Sequence, residues 1–293
     1  MRIGVILASL GRPAELGHVL DHLSTQTEPP SVVVLSLEKL EDAPAQMPSG
    51  VKVVLGSRGL CAQRNRALDI IVDECDVVVF YDDDYVPSKN SIKGVSELFE
   101  RHPDVVGATG KVLADGITSG GIDYSEAHRI VEEFDARPIH RQECPHVADI
   151  ATAYGCNMAF RTTAVANLRF DERLPLYGWQ EDVDFAGRVR KLGRMVATDA
   201  FVGVHCGTYR SRMAGQRTGF SQIVNPIYLM RKGSMRPQHA LTLIAKNVIA
   251  NHVKMIRPEW YVDRKGRARG NWLGIYHILS GRADPMAVLE IEP

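Results

Sequence analysis

Short apolar runs and amphipathic stretches alternate through the first hundred positions. Ile3–Ala8 is an apolar run closed by the turn-rich Ser9-Leu10-Gly11-Arg12-Pro13. Leu16, Val19, Leu20 and Leu23 then recur at helical spacing. Val32–Leu35 and Val51–Leu55 read as two further strands, and Leu60–Asp73 as a helix with Leu60, Ala67, Leu68, Ile71 and Val72 inward. Val77–Tyr81 carries no polar alternation, which is the pattern of a strand buried on both faces. Ser88–Arg101 continues as a helix and Val105–Leu113 as a strand. This order predicts an α/β fold with a mostly parallel, doubly wound central sheet flanked by helices.

Beyond residue 113 the pattern is less regular. Asp115–Ile122 is Gly-rich and reads as a loop, and Ser125–Val147 is polar without a clear period. Asp149–Tyr154 reads as a strand ending before Gly155, Glu181–Leu192 as a helix, and Val196–Val204 as a strand. Leu241, Ile244, Val248, Ile249, Val253 and Ile256 predict an amphipathic helix, with Lys246 and Lys254 off its face and Pro258 as its stop. The run from Arg264 to Gly270 reads as a basic loop, and Trp272–Leu279 as a short helical segment. The expected division is a catalytic domain over 1–208 and a lid plus basic, mainly helical extension over 209–293.

Charge sharpens that division. The 293 residues balance at a formal net charge of zero, yet Arg210–Gly270 holds 13 basic and 2 acidic residues. Either an anionic partner or a solvated basic face accounts for this asymmetry. The five cysteines are odd in number and lack a Cys-x-x-Cys, which fits a reducing cytosol rather than a disulfide framework. Neither a secretory signal pattern nor a membrane-spanning run is present, so a cytoplasmic protein is expected, with peripheral contact at the inner face of the plasma membrane open.

The strongest chemical signal is Asp82-Asp83-Asp84, directly after the buried apolar run. Ligands bind outside the carboxyl ends of strands in such sheets, and adjacent carboxylates suit a hard cation such as Mn²⁺ or Mg²⁺. Tyr177-Gly178-Trp179-Gln180-Glu181-Asp182 places two acids at a helix start, where the helix dipole favours them. Taken with the triplet, they are candidates for an acceptor-side base. His205, at the end of an apolar strand, is a candidate third metal ligand. Arg64 is a candidate phosphate contact on an early helical turn, and Arg210, Arg212 and Arg217 are candidates for a lid over a diphosphate.

In this order the chain resembles family 2 glycosyltransferases of the GT-A fold, of the bacterial polysaccharide-assembly type. The resemblance runs through Gly11-Arg12-Pro13, Gln63-Arg64-Asn65, Asp82-Asp83-Asp84, Gly155-Cys156-Asn157-Met158-Ala159-Phe160-Arg161 and Gly178-Trp179-Gln180-Glu181-Asp182. It implies an inverting transfer from a nucleotide-diphospho-sugar, a UDP-sugar favoured, to a hydroxyl of a saccharide or polyprenyl-diphosphate-linked saccharide. It further implies nucleotide-sugar contacts from Ser9, Arg12, Arg64, Asp82, Asp83, Asn157, Arg210 and Arg217. Asp82, Asp84 and His205 would take the metal, Asp182 the base role with Glu181 beside it, and Gly178 and Trp179 the acceptor side. One departure stands out: where the family carries an Asp-Asp-Gly-Ser that reads the base, this chain has Leu35-Ser36-Leu37-Glu38-Lys39, which leaves GDP and dTDP donors open.

Other readings compete. Asp82-x-Asp84-x-Val86 also fits a haloacid-dehalogenase-like phosphatase motif, but its expected downstream Gly-Asp is missing. A nucleotidyl- or phosphotransferase and a non-catalytic nucleotide-sugar-binding protein stay open at this point. A nucleic-acid partner is not expected. Whether residues 241–270 pack on the core, on a second subunit of a homo-oligomer or on a membrane is not decided by the sequence.

Overall fold

The computed structural model describes residues 1–137, 145–208 and 214–292. The chain divides into two compact units. The first comprises Met1–Arg58, Ala62–Arg169 and Arg188–Thr208; the second comprises Gly59–Cys61, Phe170–Gly187 and the chain beyond Thr208.

Among the described residues the first unit holds one nine-stranded sheet. The strands β1 (Ile3–Ala8), β2 (Val32–Leu37), β3 (Val51–Leu55) and β4 (Val77–Asp82) pair in parallel, in the order β3-β2-β1-β4. The sheet continues through β8 (Asn157–Arg161), antiparallel to both β4 and β6 (Val105–Asp115). β6 runs parallel to β9 (Arg194–His205), whose far side takes β5 (Tyr85–Pro87). β7 (Val147–Asp149) also pairs with β9.

Helices cover both faces, which is why the strands are apolar without alternation. Leu16, Val19, Leu20 and Leu23 of α1 (Pro13–Ser24) and Ile92, Val95, Leu98 and Phe99 of α3 (Ser91–Arg101) pack with Val5, Leu7, Val79 and Tyr81. On the other face, α2 (Leu60–Ile71) sets Ile71 against Gly4 so closely that a Cβ there would lie 2.6 Å from it.

The strand placed at 149–154 lies instead at Asn157–Arg161, after the glycine rather than before it. Its ends are polar, yet the Arg161 guanidinium is satisfied by the carbonyls of Val105, Phe99 and His102. The unassigned polar stretch contains α4 (Tyr124–Asp135), whose buried face is only Ala127 and Val131. Between β9 and that stretch α5 (Thr162–Val165) is a single turn.

In the second unit, α6 (Glu181–Val189) is followed by α7 (Gly215–Lys232), α8 (Pro237–Lys254) and α9 (Arg264–Leu279). The basic loop expected at 264–270 is the first half of α9. Glycines on α7 and α9 allow the close approach: a Cβ at Gly219 of α7 would run into the Arg267 carbonyl, and one at Gly270 of α9 into the Gln216 carbonyl. Buried Asn251 donates to Gln222 Oε1 at 2.8 Å and Asn271 Oδ1 at 3.0 Å, and Asn271 donates to the Gly219 carbonyl at 2.8 Å. This polar network ties three helices together in place of an apolar seam. Lys232 bridges Asp171 at 2.6 Å and fully buried Asp184 at 2.9 Å, fixing α7 to α6.

Candidate active site

Parallel pairing brings the ends of β1 and β4 side by side, and with them Ser9, Arg12 and the acid triplet. The Ser9 hydroxyl donates to Asp83 Oδ2 at 2.6 Å. The Arg12 guanidinium reaches Asp83 at 2.5 Å and Asp84 at 3.0 Å, and also touches the Thr208 hydroxyl. Thr208 N–H donates to Asp84 Oδ2 at 2.9 Å. Arg64, 2 % exposed, donates to Asp82 Oδ1 at 3.0 Å and to the Gly155 carbonyl at 2.9 Å. Gln63 donates to the carbonyls of Ser9 and Ser36, locking the turn after β1 to the end of β2. Two guanidinium groups, buried Arg64 and half-buried Arg12, thus face the three adjacent carboxylates; even so, burial pushes the Asp83 carboxyl up to about 7 against the pull of Arg12 and Ser9. Burial opposes the charge of Arg12, but Asp83 and Asp84 outweigh it and raise its pKa.

His205 ends β9 across the sheet from the triplet. Its Nε2 lies 3.5 Å from Asp84 Oδ1 and 3.8 Å from Asp82 Oδ2. Its Nδ1 lies 2.9 Å from Asp115 Oδ1, and an ionised carboxylate only accepts, so Nδ1 is the donating nitrogen. The Tyr154 hydroxyl donates to Asp115 Oδ2 at 2.8 Å. Burial alone would lower the His205 pKa; hydrogen bonds to Asp115 and Asp84 and the nearby charges push it up to about 10. Burial likewise opposes the Asp84 charge, but His205, Arg12 and Thr208 hold that carboxyl well below its usual range.

One donor atom each from Asp82, Asp84 and His205 falls within 4.8 Å of the others. Two carboxylate oxygens and one imidazole nitrogen form a donor set that suits Mn²⁺ or Mg²⁺. These residues therefore fit a divalent cation, and the oriented imidazole is the arrangement metal-binding histidines use. A cleft of ≈ 250 Å³ adjoins Asp84, lined among others by Glu15, His18, Tyr124 and Thr208.

In the second unit, the segment before α6 is wound tightly. Leu176 (φ 60°), Gly178 (φ 63°) and Gln180 (φ 74°) are all left-handed. Two of these are not glycine, a conformation that costs on the order of 1 kcal/mol or more each and persists only where the surroundings enforce it. Those surroundings are identifiable: Leu60 N–H holds the Leu176 carbonyl at 2.9 Å, and buried Asn225 of α7 holds the Trp179 carbonyl at 2.8 Å. The turn delivers Glu181 (5 % exposed) and half-buried Asp182 at the first positions of α6, where the dipole favours their charges.

The first unit thus brings together Ser9, Arg12, Arg64, Asp82, Asp83, Asp84 and His205. Gly178, Trp179, Glu181 and Asp182 belong to the second unit, as does Arg217, whose Nε donates to the Ile291 carbonyl at 2.8 Å. Asn157 is fully buried in β8 and donates to the Tyr85 hydroxyl at 2.6 Å. Arg210 and Arg212 lie outside the described residues. Sequence reasoning missed Thr208, Asp115, Tyr154 and Asn225, none of which sits in a local motif. It also missed Asp42, whose carboxylate is buried after β2 with Oδ2 lacking a hydrogen-bond partner among the described residues.

A family model described as glycosyltransferase-like family 2 matches residues 1–211. A search of curated proteins returns no match. Among solved structures, residues 1–349 of S. aureus TarS superpose with a TM-score of 0.52 at 14 % identity, over 99 % of this chain and 90 % of that one. The same TarS fragment in complex with UDP-GlcNAc gives a TM-score of 0.53 at 14 % identity, over 99 % and 91 %. Its complex with UDP gives 0.52 at 13 %, over 99 % and 90 %. The likeness is one of fold, GT-A, with the central sheet described above.

Proposed function

The chain belongs to glycosyltransferase-like family 2, and on that footing we propose an inverting, divalent-metal-dependent transfer from a nucleotide-diphospho-sugar to a hydroxyl. A UDP-sugar is the favoured donor, and the acceptor is a saccharide or lipid-linked saccharide of bacterial polysaccharide assembly. The convergence of Asp82, Asp84 and His205 beside Arg64 carries the reading. The UDP and UDP-GlcNAc complexes of the TarS fragment support the choice of nucleotide.

Asp82, Asp84 and His205 would hold Mn²⁺ or Mg²⁺. Such a cation, when bound, neutralises charge gathering on a departing nucleoside diphosphate. Ser9 and Arg12 hold Asp83 so that it can receive a ribose hydroxyl, and Arg64 fixes Asp82. Asp182 accepts the acceptor hydroxyl proton as that oxygen bonds to the anomeric carbon and the bond from that carbon to the diphosphate oxygen breaks. Glu181 orients the hydroxyl, and the turn carrying Gly178 and Trp179 lines the acceptor side. A single displacement of this kind inverts the anomeric centre.

Incubation with UDP-, GDP- and dTDP-sugars plus Mn²⁺ tests the proposal. Release of nucleoside diphosphate from a UDP-sugar is expected, suppressed by chelation. Turnover that persists with EDTA contradicts the metal, and release from none of the three donors contradicts the donor class.

Asp115 gives a second test, as the positioning residue for His205. Asp115→Ala is expected to weaken Mn²⁺ binding by about 10–100-fold, the usual cost of losing a partner behind a ligand. Turnover should recover in part at high Mn²⁺, so that the apparent metal constant moves more than kcat. Unchanged Mn²⁺ affinity in a folded variant removes Asp115 from this role.

A further inference from the structure

Most of the apolar face predicted for α8 points outward, with only Ile244 and Val248 half-buried. Its packing side is formed by buried Ala240 and Asn251, while Leu241, Ile249 and Val253 are 57 %, 62 % and 63 % exposed. Ile256, just past the helix, is 83 % exposed. α9 shows the same inversion. Gly266, Ala268, Gly270 and Gly274 form its buried side, whereas Lys265, Arg269, Trp272, Tyr276 and Leu279 are all exposed. Those five recur at steps of three and four, so they share one face. The His252 ring meets the Trp272 ring edge-on at 5.9 Å, which joins the two outward faces into a continuous patch.

The charge of the patch is one-sided. Between Arg236 and Gly270 the sequence carries eight basic residues and two acidic ones. Both acids are spent internally: Glu259 pairs with Lys254 and Arg264, and Asp263 caps α9 through Gly266 N–H. Lys246, Arg257, Lys265 and Arg269 remain exposed around Ile256, Trp260, Trp272 and Leu279. A patch that meets its own copy across a twofold axis would set these cations against one another without carboxylates to match them. Exposed tryptophan and tyrosine rings, aliphatic side chains and a cationic fringe match the interfacial zone of an anionic bilayer instead. No helix among the described residues is long and apolar enough to cross a membrane, so the contact lies in the plane of the surface.

We infer that the outward faces of α8 and α9 form a docking surface for anionic phospholipid. The inference rests on exposure and charge in the second unit and is independent of the transfer chemistry, so its failure would leave that chemistry untouched.

Sedimentation of the full chain with phosphatidylglycerol-containing vesicles, and with pure phosphatidylcholine vesicles, tests it. Binding to the anionic vesicles at low salt is expected, with release at high salt and none to phosphatidylcholine. The double variant Lys265→Glu/Arg269→Glu should lose on the order of 25-fold in partitioning from the two removed cations alone, at roughly fivefold each. Trp272→Ala should weaken binding while leaving the melting temperature in place, since its side chain is exposed. Absence of the wild type from anionic vesicles at low salt overturns the inference. So does a stable dimer in sedimentation velocity that Trp272→Ala dissociates, because the face would then be a self-interface; an acidic protein captured by a chain that ignores vesicles would do the same.

Discussion

Asp182→Asn is expected to lower kcat by about 10²–10⁴-fold, the range over which a general base contributes. Asn preserves the shape of the side chain and can still accept at its amide oxygen from Val183 N–H, which donates to Asp182 at 2.8 Å. It cannot take the acceptor proton. Binding of UDP should be unchanged, because the role proposed for Asp182 is toward the acceptor hydroxyl and not toward the nucleotide. If Glu181→Gln abolishes transfer and Asp182→Asn retains it, the two neighbours exchange roles. The greater burial of Glu181 argues for the assignment made here, since the half-buried carboxylate is the one a substrate hydroxyl can approach.

Asp84→Asn is the second large loss expected. Asp84 faces His205 Nε2 through one oxygen and Arg12 and Thr208 through the other, so it serves the donor cluster and the packing around it at once. Removing its charge leaves one carboxylate and one imidazole for a divalent ion, a poor set for Mg²⁺ or Mn²⁺. Loss of a cation that supplies several kcal/mol of charge stabilisation corresponds to about 10²–10³-fold or more in kcat/KM. Paramagnetic Mn²⁺ titration should show the affinity falling in parallel. A variant that binds Mn²⁺ as the wild type does, yet is inactive, would assign Asp84 to substrate instead.

The parallel half of the sheet was legible because its strands are buried on both faces and therefore apolar throughout, as in Val77–Tyr81. The Asp82-Asp83-Asp84 cluster was legible because three adjacent carboxylates directly follow that buried strand, where such sheets bind ligands. His205 stood out as a polar residue closing an apolar strand. Its partners did not, because Asp115 lies 90 positions away and Tyr154 51; the pairing of β6 with β9 sets Asp115 opposite His205. The strand Asn157–Arg161 was displaced in the reading because both ends are polar and find partners in other elements. α7 was hidden by Gly215, Gly219 and Pro226, residues that disfavour helices; the glycines here permit close approach to Asp263 and Arg267. The α8 periodicity was read correctly as a helix, but periodicity alone does not say whether an apolar face points to protein or away from it.

The proposed function requires the end of β4 to hold a nucleoside diphosphate together with a divalent cation. Calorimetric titration of UDP into the full chain, with Mn²⁺ present and again after its removal, addresses it most directly. Saturable binding is expected with Mn²⁺, and affinity lower by roughly tenfold or more without it, a coupling of ordinary size between two ligands that share a site. Equal affinity in both conditions, or no binding of any nucleoside diphosphate, would contradict it.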